Sequence, residues 1–241
     1  MSKLTVFALS GYKQSGKDTC AEYLVGNHGF TRYSFADALK DLVSEQYDIP
    51  REWCDDPKYK EHFLTNYPVN PKDKFSETIA RFMFREFRAV DGYNTYKDYD
   101  DYINKTQSQS LYWPLYWTPR AVLIAEGSLK RSINSNYWVM KVINQIVNPF
   151  FGNQNLEIKA VITDLRYRSE LELLKSFFGP EFKINKNNSL TTIRINRFDQ
   201  VNSTDPSERD LDGEKFTVTL DNKGKIEDLY KKLDSIAILK T

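Results

Sequence analysis

The chain has 241 residues, which suffices for one sizeable domain with an insert or for two small domains. Its 34 basic and 33 acidic residues nearly cancel, so we expect neither a stable nucleic-acid partner nor a membrane partner. Two cysteines are too few for a disulfide framework or a zinc cluster, and no stretch has the form of a signal peptide or a membrane span, so we expect a cytoplasmic protein.

The first elements follow the order strand, loop, helix. Apolar residues at 4–9 predict a buried strand, a loop containing glycine follows, and apolar residues recur at helical spacing from Cys20 to Leu24. Arg32–Phe35 predicts a second strand, and Ala36–Tyr47 predicts a helix with one apolar face. This βαβα order favours a parallel sheet covered by helices.

The middle of the chain loses this periodicity. Residues 49–117 are polar and rich in aromatic side chains, and we interpret them as an insert with one helix at about 76–90. The sheet pattern then returns, and we treat 1–241 as a single domain. In order, the later expectations are helices over 121–129 and 136–147, a strand over 158–163, a helix from an N-cap at Ser169 to Gly179, a strand over 190–195, a lid-like loop over 196–213, a strand over 216–220 and a helix over 226–233.

The segment between the first strand and helix reads GYKQSGKD, from Gly11 to Asp18. The spacing G-x-x-x-x-G-K lets backbone N–H groups converge on phosphate oxygens at a helix N-terminus, where Lys17 reaches the β and γ phosphates. The preceding strand and the following helix are the context that such a loop requires. We expect its phosphate-binding residues to be Gly11, Lys13, Ser15, Gly16, Lys17, Asp18 and Thr19.

Asp18 stands where such loops usually place a serine or threonine that binds Mg²⁺. A carboxylate also binds Mg²⁺, but it adds negative charge beside the polyphosphate. The alternative is that Asp18 is only a favourable acid in the first helical turn.

The loop GYKQSGKDT resembles the variant loop of phage-type deoxynucleoside monophosphate kinases, and its Ser-Gly-Lys-Asp is similar to that of animal-type phosphomevalonate kinases. The resemblance continues in order along almost the whole chain. It covers RYSFADALKDLV, Lys60-Glu61, Thr118-Pro119-Arg120 with Gly127, Arg131 and Trp138, Asp164-Leu-Arg166, Ser207-Glu208 and FTVTLDNKG at 216–224.

This resemblance implies an α/β P-loop kinase fold, with a mostly parallel sheet and a mainly helical insert that binds the monophosphate. It implies ATP and Mg²⁺ as cofactors, a deoxynucleoside monophosphate as substrate, and a viral enzyme in the host cytoplasm; a homodimer stays open. The implied catalytic residues are Lys17, Arg120, Arg166 and Asp164, with Asp18 and Asp164 as metal ligands, Asn222 on the ATP side, and Ala36, Lys40, Arg85, Arg120, Arg131 and Trp138 on the substrate side.

Several of these residues have a structural alternative. Asp164 follows a buried strand, where P-loop proteins hold Mg²⁺ or its waters, but it could instead pair with Arg166 or cap the next helix. Single arginines are often solvated surface charges, and Arg81, Arg85 and Arg88 form either a charged outer face or a strip facing the acceptor phosphate. A tryptophan at position 138 is equally explained by a buried place in a helix, and an asparagine at position 222 by a tight turn between a strand and a helix.

The leading interpretation is ATP-dependent phosphorylation of a deoxynucleoside monophosphate to the diphosphate. A phosphomevalonate kinase is the nearest alternative, although the aromatic insert disfavours it. From another class, a GTP-dependent or ATP-dependent switch or a nucleic-acid ATPase is conceivable. Asp210-Leu-Asp-Gly213 fits the D-x-x-G of GTPases, but no Asn-Lys-x-Asp follows it, and the balanced charge disfavours a nucleic-acid motor.

Overall fold

Five parallel strands form the central sheet. A computed structural model describes residues 3–60, 118–150, 156–179, 188–198 and 209–240. The strand order is β2-β3-β1-β4-β5, and every neighbouring pair is parallel, which confirms the predicted α/β class and P-loop kinase fold. The strands are β1 (Lys3–Ser10), β2 (Thr31–Tyr33), β3 (Glu157–Ile162), β4 (Asn188–Asn196) and β5 (Val218–Asp221).

Helices follow or cover these strands. They are α1 (Lys17–His28), α2 (Phe35–Tyr47), α3 (Arg51–Asp55), α4 (Pro57–Lys60), α5 (Pro119–Ile133), α6 (Tyr137–Val147), α7 (Arg168–Phe178) and α8 (Ile226–Lys240), with a 3₁₀ turn at Asn148–Phe150. Among the described residues, none of these helices combines the length and the apolar character that a membrane crossing needs.

The strand β1 lies at the centre of the sheet, between β3 and β4, and residues 4–10 of it are buried. A parallel sheet covered on both faces needs such continuous apolar strands. Phe7 of β1, Val161 of β3 and Ile193 of β4 form one core with Leu24 of α1 and Leu233 of α8. This packing fixes α1, and with it the loop between β1 and α1.

Contacts divide the chain into two compact units. One consists of Met1–Ala38 together with Asn136–Thr241 and contains the whole sheet. The other is Leu39–Ser135, in which α3 and α4 both pack against α5. The predicted single domain with an insert at 49–117 stays a prediction, and its helix over 76–90 lies outside the described residues, as does 199–208 of the lid-like loop.

Some element ends differ from the prediction. The helix α7 begins at Arg168, and the carboxylate of Glu170, not Ser169, accepts hydrogen bonds from the backbone N–H groups of Arg166 and Tyr167. The strand β2 stops at Tyr33 because the chain turns there into α2. The strand β5 starts at Val218, and α8 continues to Lys240, seven residues beyond the expected end.

Both cysteines are buried, Cys20 in α1 and Cys54 in α3. Burial raises the pKa of the Cys20 thiol to about 12 and also raises that of Cys54. Neither side chain therefore offers a thiolate for catalysis.

Candidate functional site

The loop between β1 and α1 needs glycine at both of its ends. Gly11 and Gly16 have φ angles of 150° and 102°, which favour glycine. A Cβ atom on Gly11 would lie 2.5 Å from the carbonyl oxygen of Ile195, and one on Gly16 would collide with the side chain of Asn222. The two glycines therefore let the backbone curl tightly against β4 and the turn after β5.

The loop presents groups suited to a phosphate. The helix α1 starts at Lys17, and its N-cap residue is Gly16, which has no side chain to cap the helix, so the partial positive charge of its N-terminus faces the loop. Ser15 Oγ is buried against Gly11 and has no hydrogen-bond partner in the part of the chain that the structure describes. A phosphate oxygen would satisfy both features, so the loop fits a nucleotide polyphosphate.

Lys17 lies across this loop. Its Nζ donates to the carbonyl oxygens of Gly11 at 2.8 Å and Tyr12 at 2.9 Å. The ammonium group is thus held within the curl of the backbone, and its charge adds to that of the helix N-terminus.

Asp18 points into solvent, with 78% of its side chain exposed. Its carboxylate lies 3.7 Å from Nη2 of Arg32, and Nη1 of the same arginine lies 3.8 Å from the carboxylate of Asp37. The Asp18 oxygens are therefore accessible to a cation. No group of three or more His, Cys, Asp or Glu side chains suited to a metal occurs among the described residues, so Mg²⁺ would need nucleotide and water oxygens as further ligands.

Asn222 supports the loop from the turn after β5. Its Nδ2 donates to the carbonyl oxygen of Ser15 at 2.8 Å, and its backbone N–H donates to Asn196 at 2.7 Å. Asn222 thus holds the loop next to Gly16, while the predicted contact with ATP stays a prediction.

Asp164 caps the start of α2. Its carboxylate accepts hydrogen bonds from the Ser34 hydroxyl at 3.0 Å and from the backbone N–H groups of Phe35 at 2.9 Å and Ala36 at 2.8 Å. Burial raises the pKa of Asp164, while these hydrogen bonds and Arg166 act in the opposite direction. The helix-capping alternative is thus realised, though at α2 and not at the helix that follows Asp164; its metal-binding role stays a prediction.

Other predicted residues are dispersed. In the unit that contains the sheet, the Arg166 side chain is exposed, Ala36 is exposed at the start of α2, and Trp138 is buried within α6, where its ring is nearly perpendicular to that of Tyr137. Lys13 lies within the loop and is exposed, and Thr19 lies just after it and is half-buried.

Within Leu39–Ser135, three cations share one region. Burial lowers the pKa of Lys60, and the nearby charges of Lys40 and Arg120 lower it further. Lys40 Nζ is 2.7 Å from Asp55 Oδ1, and Arg51 pairs with the other oxygen of that carboxylate. Arg131 lies outside this group: it is exposed, and its guanidinium lies next to Gly127, whereas Arg85 lies outside the described residues.

The sequence reasoning missed a second set of charges beside the loop. Arg194 on β4 is 10% exposed and donates to Ser10 Oγ at 3.0 Å and to Asp212 at 2.8 Å. Tyr12 donates from its hydroxyl to the other oxygen of Asp212 at 2.6 Å. One feature of the sequence could have indicated these charges. The predicted strand LTTIRI is otherwise apolar or threonine, and an arginine buried in such a strand needs an acidic partner.

A parallel sheet whose central strand runs through G-x-x-x-x-G-K into a helix defines a P-loop kinase fold. Residues 5–70, which contain this loop, match the family model of deoxynucleotide monophosphate kinase. The match confirms the resemblance to phage-type deoxynucleoside monophosphate kinases, and the chain is a nucleotide kinase. Such a kinase uses a nucleotide phosphate donor and a nucleotide monophosphate acceptor. No curated protein matches the chain.

Proposed function

We propose that the protein transfers the γ-phosphoryl group of ATP, with Mg²⁺, to a deoxynucleoside monophosphate and releases the diphosphate. The observation that carries this proposal is the family match over residues 5–70, which include a loop that ends in a glycine N-cap and in which the buried Ser15 hydroxyl has no hydrogen-bond partner among the described residues. We also propose that it acts in the cytoplasm, that of the host if the source is a virus.

The donor phosphates bind to the loop in this proposal. The backbone N–H groups of the first turn of α1 and Ser15 Oγ hold phosphate oxygens, and Lys17 Nζ exchanges the carbonyl oxygens of Gly11 and Tyr12 for the β and γ phosphates. Asp18, whose carboxylate is accessible, is the residue best suited to hold Mg²⁺. When bound, Mg²⁺ neutralises charge on the phosphates.

The acceptor phosphate is assigned to the cations of the Leu39–Ser135 unit. Lys40 and Arg120 both repel the charge of Lys60, and a phosphate dianion would offset that repulsion. The carboxylate of Asp55 already offsets part of this positive charge, because it pairs with Lys40 and Arg51. Arg85, Arg131, Ala36 and Trp138 remain further substrate-side assignments.

This chemistry needs no covalent intermediate. The acceptor phosphate is already ionised at neutral pH, so no general base is required. The residues named here act by position and charge: the loop and Lys17 hold the donor, and arginines, with Arg120 and Arg166 as the assigned ones, neutralise the charge that the transferred group carries.

A turnover assay tests this proposal. The protein is incubated with ATP, Mg²⁺ and each of a panel of deoxynucleoside and ribonucleoside monophosphates and mevalonate 5-phosphate, with and without DNA. We expect a diphosphate to form from at least one deoxynucleoside monophosphate, with no effect of DNA. DNA-stimulated ATP hydrolysis without any diphosphate product, or phosphorylation of mevalonate 5-phosphate alone, would contradict the proposal.

A further inference from the structure

The turn at 209–214 carries three acidic side chains, which together bind two parts of the sheet-containing unit. They are Asp210, Asp212 and Glu214. The same turn contains the letters D-x-x-G, which formally fit a GTPase motif. Its contacts indicate another role.

Asp212 binds two residues beside the donor loop. One carboxylate oxygen accepts from Arg194 Nη2 at 2.8 Å, and the other accepts from the Tyr12 hydroxyl at 2.6 Å. The Arg194 guanidinium also lies 4.9 Å from the centre of the Tyr12 ring and donates to Ser10 Oγ at 3.0 Å. Ser10 and Tyr12, on either side of Gly11, are therefore held by one ion pair.

The backbone of Tyr12 belongs to the site itself. Its carbonyl oxygen accepts from Lys17 Nζ at 2.9 Å and from the backbone N–H of Ser15 at 3.1 Å. A shift of Tyr12 would therefore move both the lysine and the curl of the loop. Because Arg194 is almost completely buried, its guanidinium cannot swing into water, and the ion pair restricts where Tyr12 can lie.

The other two acids hold the start of α7. Asp210 accepts from the backbone N–H of Arg168 at 2.6 Å, and Glu214 lies 2.8 Å from the guanidinium of the same residue. Arg168 follows Arg166 by two positions. The turn thus contacts the donor loop with one carboxylate and the segment after β3 with two.

We propose that Asp212, Arg194 and Tyr12 form a positioning clamp that keeps the donor loop in its phosphate-binding shape, while Asp210 and Glu214 hold the Arg166 segment relative to it. The three clamp residues do not touch the reacting atoms; they act through Gly11 and Lys17. The proposal rests on the proposed function only in that the loop binds the phosphates of ATP.

The test uses Tyr12→Phe, Asp212→Asn and the double variant, with Glu172→Gln on the exposed face of α7 as the matched control. Mg·ATP affinity is measured by calorimetry without an acceptor, and KM for ATP and for the acceptor is measured separately. We expect each single variant to weaken ATP binding about three- to tenfold. The double variant should be no weaker than the worse single variant, because both remove the same contact. The acceptor KM and the control should stay within about twofold of wild type.

An ATP affinity of folded Tyr12→Phe within about twofold of wild type would overturn the proposal, as would additive losses in the double variant. If Asp212→Asn does not fold, Tyr12→Phe decides alone, since it removes a single hydroxyl. ATP binding is measured without an acceptor, so failure to phosphorylate any monophosphate would contradict the proposed function and leave this test valid.

Discussion

Asp18 adds a negative charge beside the site proposed for a polyphosphate, and its neighbour Arg32 offsets that charge. Arg32 lies between the carboxylates of Asp18 and Asp37, at 3.7 Å and 3.8 Å. An exposed ion pair at this separation contributes little to stability. We therefore expect the pair to matter for the binding of metal and nucleotide and not for folding.

Replacing Asp18 tests whether its carboxylate holds Mg²⁺. Asp18→Ala should raise the Mg²⁺ concentration for half-maximal rate about tenfold, because a hard oxygen ligand is lost. The measurement is a Mg²⁺ titration of turnover at fixed ATP. Asp37→Asn is the control, since Asp37 lies equally close to Arg32. An unchanged Mg²⁺ requirement in Asp18→Ala would leave Asp18 as a favourable acid at the start of α1.

Residues of the loop could be predicted from the sequence, whereas their supporting partners could not. Gly11, Gly16 and Lys17 follow from a local spacing that any phosphate cradle requires. Arg194 and Asp212 reach the loop only through the fold, because they lie on β4 and on a turn that follows it. A single sequence does not show which distant side chains meet.

At the scale of elements, Asp164 joins the end of β3 to the start of α2. Its carboxylate satisfies the N–H groups of Phe35 and Ala36, which have no partner within the helix. Such a cap typically contributes about 1 kcal/mol to stability. Capping therefore accounts for this carboxylate independently of any metal.

Asp164→Ala should lower the free energy of unfolding by about 1 to 2 kcal/mol, since two helix N–H groups lose their acceptor. Asp164→Asn, which keeps one acceptor oxygen, should lose less. Urea denaturation of both variants measures the difference. A variant that keeps wild-type stability but loses turnover would contradict the capping role and show that Asp164 contributes only to the reaction.

A second connection joins α1 to α8. Asp234 lies 2.8 Å from the Tyr23 hydroxyl and 2.8 Å from His28 Nε2, and the Tyr23 ring stacks on Tyr230 at 4.0 Å. The hydrogen bond from Tyr23, followed by that from His28, lowers the pKa of Asp234 below its ordinary value of 3.8. The ionised carboxylate is therefore favoured by folding.

This lowered pKa predicts a loss of stability in acid. The contribution of Asp234 is complete above the ordinary pKa of 3.8 and is lost as the pH falls through the lower value of the folded state. Between about pH 5 and pH 2, wild type should therefore lose more stability than Asp234→Asn. Urea denaturation at several pH values measures this difference; a pH-independent difference would contradict it.

Most elements could be predicted from apolar periodicity, and their ends could not. The buried strand β3 and the helix α6 follow directly from the pattern. The start of α7 depends on Glu170 reaching back to two N–H groups, and the early end of β2 depends on Asp164. Both ends are set by side chains whose partners the periodicity does not reveal.

At the scale of the molecule, the sheet brings the loop, Asp164 and Asn222 to the same end of its strands. The loop follows β1, Asp164 follows β3, and Asn222 follows β5, all at the carboxyl ends of parallel strands. Open α/β sheets bind their ligands at this edge. Because the charges of the whole chain nearly cancel, a phosphate ligand would have to bind to a local group of charges.

The division into units was only partly predictable. The loss of periodicity indicated an insert at 49–117, while contacts group Leu39–Ser135. The wider unit includes most of α2 and all of α5, and α3 and α4 pack on α5. Such packing brings together helices that are far apart in the sequence, and apolar periodicity does not predict which helices pack together.

The most direct test follows labelled γ-phosphate from ATP in the presence of a deoxynucleoside monophosphate, for wild type and Lys17→Ala. We expect wild type to place the label in the β-phosphate of the diphosphate, and folded Lys17→Ala to do so at least about a hundredfold more slowly. Label recovered only as inorganic phosphate, or near wild-type transfer by Lys17→Ala, would contradict phosphoryl transfer through this loop.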